Sequence, residues 1–244
     1  MIKATYFRNV SILSLIALLL SGCAMAPKTD MNGNQFIAYQ GAKVITAEEA
    51  KELPRALRSS RIQADMENIG FDTPDVSILI DSVSNSILSV FENQYALLTR
   101  YTTIVDNHKD VMSFIHANKG KSKDELQAEA ERFDRMATSQ AQKIGPKLEA
   151  YRRANDDIQK ENIKLAGELL VQSGRFISVF KDNNEALQST EVLVMLLNAG
   201  KINDAYELAE IRIHLATIAN EFIDDEKAVL EITKQIQEIL DEKL

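Results

Sequence analysis

The chain predicts an all-α fold, an elongated antiparallel bundle of long helices with coiled-coil-like packing. Three observations carry that prediction. The 244 residues include no tryptophan and only 4 prolines, and Ala, Leu, Ile, Glu, Gln and Lys are abundant, the composition of a helix former. A seam that includes Val76, Ile80, Val83, Ile87, Val90, Gln94, Leu97, Tyr101, Ile104, His108, Val111 and Ile115 advances by alternating steps of four and three, the heptad signature. Thr46-Ala47-Glu48-Glu49 and Ser122-Lys123-Asp124-Glu125 have the form of capping boxes, in which a hydroxyl and a glutamate three residues on satisfy each other's backbone N–H groups.

The chain opens on a basic stretch, Lys3 and Arg8, followed by the apolar run Val10–Leu20, which holds only two serines. As a helix this run reaches about 16 Å, roughly half of a bilayer's hydrocarbon core, so it reads as a secretory signal and not as a spanning helix. It ends in Leu20-Ser21-Gly22-Cys23, a branched apolar residue, two small residues and a cysteine. This tetrapeptide resembles the lipobox of bacterial lipoproteins. The resemblance implies cleavage between Gly22 and Cys23, a diacylglycerol thioether on the Cys23 sulfur, and usually a third acyl chain on the new amino terminus. Two or three acyl chains, at about 0.8 kcal/mol per buried methylene, hold a protein on a bilayer without a spanning segment. Cys23 is the one cysteine of the chain, so no intramolecular disulfide is expected. Ala24 stands where enteric-type bacteria place the aspartate that retains lipoproteins in the inner membrane, which implies an outer-membrane address facing the periplasm.

Residues 23–45, with Pro27, Gly33 and Gly41 and no helical period, read as a lipidated tether reaching up to roughly 70 Å if extended. The alternative within it is that Gln35–Tyr39 forms a short strand or docks on the body. Residues 46–244 form a single helical-bundle domain. Its first helix covers 47–69, interrupted near Leu53 by Pro54 and closed by Gly70, and it carries Arg55, Arg58 and Arg61 on one face. That stripe is solvated, paired within the chain, or a docking surface for an acidic partner. Asp72 or Thr73 is expected to cap the seam helix with Pro74 in its first position. A turn at Asn118–Lys121 reverses the chain into one long helix over 122–181, kinked at Gly145-Pro146. A hairpin centred near residue 119 places Gln94 level with Ile144, where its amide would serve the Gln142 carbonyl that Pro146 leaves without a donor. A short helix from Asp182 or Asn183 to Gly200 and a final helix over 203–242 complete the bundle.

Removing residues 1–22 takes away Lys3 and Arg8 and moves the formal charge from -8 to about -10, an acidic balance that argues against nucleic acid. The three histidines, His108, His116 and His214, show no metal-binding spacing, and no metal or other cofactor is expected beyond the covalent lipid. No serine or cysteine nucleophile with a partner base and no glycine-rich phosphate loop is visible, so the chain reads as no enzyme. His108 reads as a core histidine. Asn155 and Asn162 fall on a seam, where polar residues fix register. Lys119, Lys121 and Lys123 form a basic tip.

The candidate interaction surface is an apolar line off the seam, Ile163, Leu170 and Ile177 with Gly167 and Gly174 beside it, continued by Val192 and Leu196. The function expected is a membrane-anchored, non-enzymatic scaffold or adaptor that holds the bilayer through its acyl chains and binds another cell-envelope protein. Self-association is compatible with the seams. The alternatives are a membrane-active protein with the architecture of long-helix pore-forming toxins, and a carrier whose apolar ligand would need a cavity of several hundred Å³ near 163–199.

Overall fold

The computed structural model describes residues 28–29, 35–39, 42–73, 75–186 and 192–241, with side-chain environments for 43–73, 75–179 and 200–241. The helical prediction holds. The helices are α1 (Ala47–Glu52), α2 (Arg55–Ile69), α3 (Ile78–Asn107), α4 (Lys109–Asn118), α5 (Lys123–Asp134), α6 (Ile144–Ala186), α7 (Val192–Asp224) and α8 (Lys227–Asp241), with a 3₁₀ turn at Gln140–Gln142. Both capping hydroxyls act as expected. The Thr46 hydroxyl accepts from Glu49 N at 3.1 Å, and Ser122 forms a complete box with Glu125. Gly70, at φ 74° and ψ 178°, closes α2 in a conformation that costs glycine little.

Ahead of the bundle lie three short strands, β1 (Lys28–Thr29), β2 (Gln35–Tyr39) and β3 (Ala42–Val44), paired antiparallel in the order β1-β2-β3. The region expected to be a free tether therefore includes the strand at 35–39, and its end belongs to the body. Val44 and Ile45 are buried in the core. Ile45 is gripped on both sides of its peptide: its N–H donates to Asp65 Oδ2 at 2.7 Å, and its carbonyl lies 2.9 Å from His214 Nε2.

α3, α6 and α7 form the central three-helix layer, with α2 laid over α3 and α7, and α8 over α5 and α6. Two hydrophobic cores follow one another along this assembly. One unites Ile45, Ile62 and Met66 with Phe91, Leu98, Leu165, Phe176, Leu215 and Phe222. The other unites Val111, Ile115, Leu126, Leu148, Tyr151 and Ile236. Ile104 and Val105 pack against both. At about 1.5 Å per residue, α6 alone is about 65 Å long and runs through both cores.

Register in the first core is set by a buried amide layer. Gln94 Nε2 donates to Asn162 Oδ1 at 3.1 Å, Asn162 Nδ2 donates to the Asn220 carbonyl at 2.9 Å, and Asn220 Nδ2 returns to the Asn162 carbonyl at 2.8 Å. One asparagine read as a register residue thus ties α3, α6 and α7 together. Asn155 instead donates to Tyr151 O within its own helix. Gln94 is engaged by Asn162, which lies twenty residues beyond Gln142 in the chain, so it serves no kink.

The expected long helices are each interrupted. The seam helix starts at Ser77, whose hydroxyl caps Ile80, one turn later than Asp72 or Thr73, because the Gly70 and Asp72 carbonyls are held outside the helix by the Arg212 guanidinium at 2.8 and 2.7 Å. It pauses at His108, whose N–H is shared between the Ile104 and Val105 carbonyls, before α4 begins. The helix expected over 122–181 is two helices. α5 stops at Asp134, whose side chain accepts from Ile144 N at 2.8 Å and so starts α6. Pro146 consequently lies in the first turn of α6, where its missing N–H has no intrahelical acceptor to lose. At the far end α6 continues through Asp182 and Asn183 to Ala186, and Gly200 lies inside α7 instead of ending a short helix. The last expected helix divides at Asp225 and Glu226.

That last division places a carboxylate in the middle of the protein. Glu226 is fully buried, accepting from the Tyr101 hydroxyl at 2.7 Å, from the Tyr151 hydroxyl and from Arg55, at 2.5 Å. Arg55 in turn lies over the Phe222 ring, 4.9 Å from its centroid. Burial first and the Glu226 carboxylate second push both phenols above their ordinary pKa, so both remain donors. Tyr101 belongs to the first core and Tyr151 to the second, so Glu226 couples the two. Glu226→Ala should lower unfolding stability by about 3 kcal/mol, the cost of stranding two buried phenols and a half-buried cation, while Glu226→Gln, which keeps an acceptor, should lose less. Urea unfolding of the two variants checks the order.

Candidate functional site

α6 turns Leu165, Leu169 and Phe176 into the first core, which commits one side of the helix. On another side the predicted line of Ile163, Gly167, Leu170, Gly174 and Ile177 advances by steps of four, three, four and three, a seam of its own. Ile163 is 59% exposed, and Gly167 and Gly174 are exposed. A Cβ added at either glycine would meet nothing within 4 Å. Val171, which the sequence reading left out, joins them at 53% exposure. Leu170 and Ile177 are half-buried, and Ile177 packs against the core. The stretch 163–174 is therefore an open apolar stripe, broken by two glycine notches. The side chains of Val192 and Leu196, and Gly22 and Cys23, lie outside the described residues.

The arginine stripe of α2 is paired within the chain. Arg55 meets Glu226, Arg58 reaches Asp225 at 3.1 Å, and Arg61 reaches Asp65 at 3.0 Å. In the basic tip, Lys121 lies 3.2 Å from Glu129. Of the histidines, His108 places its ring 5.6 Å from that of Tyr151, His116 is exposed, and His214 holds the Ile45 carbonyl. Desolvation lowers the His214 pKa, and burial raises that of Asp65 despite its bonds to Ile45 and Arg61. Both shifts belong to the clamp on β3.

A cleft of about 460 Å³ opens between α5, the start of α6 and the end of α8, among Gln127, Asp134, Lys143, Pro146, Gln237 and Leu240. It lies at the start of α6, away from residues 163–179, and its wall mixes carboxylates and amides with apolar groups, so it is not the cavity that an apolar carrier would need. Among the described residues no group of three or more His, Cys, Asp or Glu side chains is placed to hold a metal ion, and no helix is long and apolar enough to cross a membrane.

Glu210, on α7, escaped the sequence reading. Burial first and neighbouring Glu207 second push its carboxyl up to about 7. Nothing in its heptad position marks it, since the shift arises from packing. No protein-family model, no curated protein and no solved structure matches this chain.

Two tests follow from this geometry. Gly167→Ala and Gly174→Ala should each stabilise the fold by roughly 0.5–1 kcal/mol, because the added methyl meets open space and glycine is a poor helix former, and urea unfolding would measure it. Between pH 4.5 and 7 the folded protein holds a proton on Glu210 that the unfolded chain releases, so this group costs stability as pH rises through that range. Glu210→Gln should therefore stabilise above pH 7, the gain fading as pH falls towards 4.5, in a series of unfolding curves.

Proposed function

We propose that this protein is a membrane-anchored lipoprotein of the bacterial cell envelope, held by acyl chains on Cys23, that acts as a non-enzymatic helical scaffold or adaptor for another envelope protein. The observation that carries the scaffold reading is the open stripe on α6. Its heptad spacing, its exposed Ile163 and Val171 and its two notches are the features of a helix face built to receive a second helix, and no helix among the described residues covers it. The anchor reading rests on Leu20-Ser21-Gly22-Cys23 and the apolar run before it. An outer-membrane address facing the periplasm is part of the proposal, on the strength of Ala24. The acidic mature chain fits a partner met through apolar contact and not through nucleic acid or anionic head groups.

Mass spectrometry of the amino-terminal peptide from the native protein should find a fatty-acylated Cys23. Cys23→Ser should release the chain from the membrane fraction while leaving its helical circular dichroism unchanged. A photo-crosslinker at Val171 in intact cells should join the chain to one discrete envelope protein, whereas the same group at Lys160 should not. Unmodified Cys23, or equal crosslinking at the two positions, overturns the respective half of the reading.

A further inference from the structure

The open face of α6 is complementary to one surface already in hand, its own. Its outermost line is Lys164, Gly167, Val171 and Gly174, all exposed and spaced by steps of three, four and three. Ile163, Leu170 and Ile177 run along one flank of that line, and Glu161, Glu168 and Arg175 run along the other. The face is thus apolar on one side, charged on the other and notched along the middle.

Two copies of such a face can meet in two ways. Running in the same direction, each residue stands beside its own counterpart, so glycine faces glycine across an unfilled gap. The apolar flank of each copy then lies against the charged flank of the other, which pairs neither. Running in opposite directions about a two-fold axis beside residue 169, the face fits itself. Gly167 stands level with Val171 of the second copy, and Gly174 with Lys164, so every notch receives a side chain from the other helix. No Cβ at positions 167 and 174 keeps the two backbones apart.

Like flanks also meet in this arrangement. Ile163 approaches Ile177 of the second copy and Leu170 approaches its own counterpart, while on the other flank Glu161 approaches Arg175. Glu168 nears its counterpart close to the axis, with Lys164 of its own helix 3.5 Å away to offset the charge. The two-fold axis makes the unlike pairs occur twice, so a small complementarity is doubled.

We infer that, until a partner helix takes its place, the α6 stripe is covered by that of a second copy in an antiparallel two-fold dimer. The inference rests on the stripe being a receiving face, as proposed above, and names its resting occupant. One helix from each copy makes the contact, which places it below about 1,200 Å², the size class of weak, exchangeable complexes. Anchoring on one bilayer raises the effective concentration of the copies and so populates a contact of that strength.

Two differently tagged full-length chains, one carrying Ile163→Cys and the other Gly174→Cys, are produced together and treated in the native membrane with a short bismaleimide. In the antiparallel dimer position 163 is level with position 175 of the second copy, one residue from 174. Position 163 and its own counterpart are about 18 Å apart along the helices, and position 174 and its own about 15 Å. The mixed crosslinked dimer should be several-fold more abundant than either same-position dimer, and the chain without an introduced cysteine should give none. Arg175→Glu should cut the mixed product roughly tenfold, and adding Glu161→Lys should restore it, a rescue specific to this register. Same-position crosslinking at 163 as strong as the mixed product, or no dimer in any combination, overturns the inference. The scaffold reading then still stands if the photo-crosslinker at Val171 captures a different envelope protein, and falls with it if Val171 captures nothing.

Discussion

The arrangement of the whole body depends on one buried carboxylate. Taking Glu226 out of water carries a penalty of several kcal/mol that is offset only if every lone pair finds a donor. Here two tyrosine hydroxyls and an arginine converge on it from α3, α6 and α2. Meeting all three requires the chain to leave the helix at Asp225, turn the carboxylate inward and restart at Lys227. The break between α7 and α8 is therefore the geometric consequence of satisfying Glu226. The same break lets α8 close the second core while α7 serves the first, which is how a chain of this length builds two cores in line instead of one.

Two further polar devices make the assembly stiff and single-registered. The Gln94, Asn162 and Asn220 layer can form only when three helices stand at one relative height, because a slip of one turn strands buried amides. The Ile45 clamp acts similarly on the incoming chain. Its N–H and carbonyl are bound to residues on α2 and α7, so the segment before α1 is fastened to the bundle at a defined point.

Much of this architecture is legible in the letters. Capping hydroxyls, the seam of α3, the glycine stop after α2 and the apolar line on α6 all follow from local chemistry and periodicity. The breaks do not. A heptad pattern continues across His108, Asp134 and Glu226, since side chains on either side still face inward, to one core or the other. What stops each helix is a hydrogen bond formed in three dimensions, such as that from Ile144 N to the Asp134 side chain. Pro146 illustrates the ambiguity: a proline in a periodic stretch fits a kink or a first turn equally well, and only the fate of the preceding residues decides. Because 122–181 is two helices and not one, the hairpin register shifts, and Gln94 lies opposite Asn162 and not Ile144. On α2 the arginine stripe is visible in the sequence, but its pairing with Glu226 is not, because that contact joins residues 171 positions apart in the chain.

The stripe on α6 acquires meaning from this rigidity. An apolar face on a mobile helix would be covered by rearrangement, since burying even part of Ile163 and Val171 is favourable by about 25 cal/mol per Å². α6 cannot rotate to do so. Leu165, Leu169 and Phe176 hold one side in the first core, Asn162 fixes its height, and Tyr151 binds it to Glu226. Each of these contacts would be lost if the helix turned to hide its outer face. The open seam is thus kept open by the same buried polar groups that join the two cores, which is the fixed geometry that the proposed scaffold role would require.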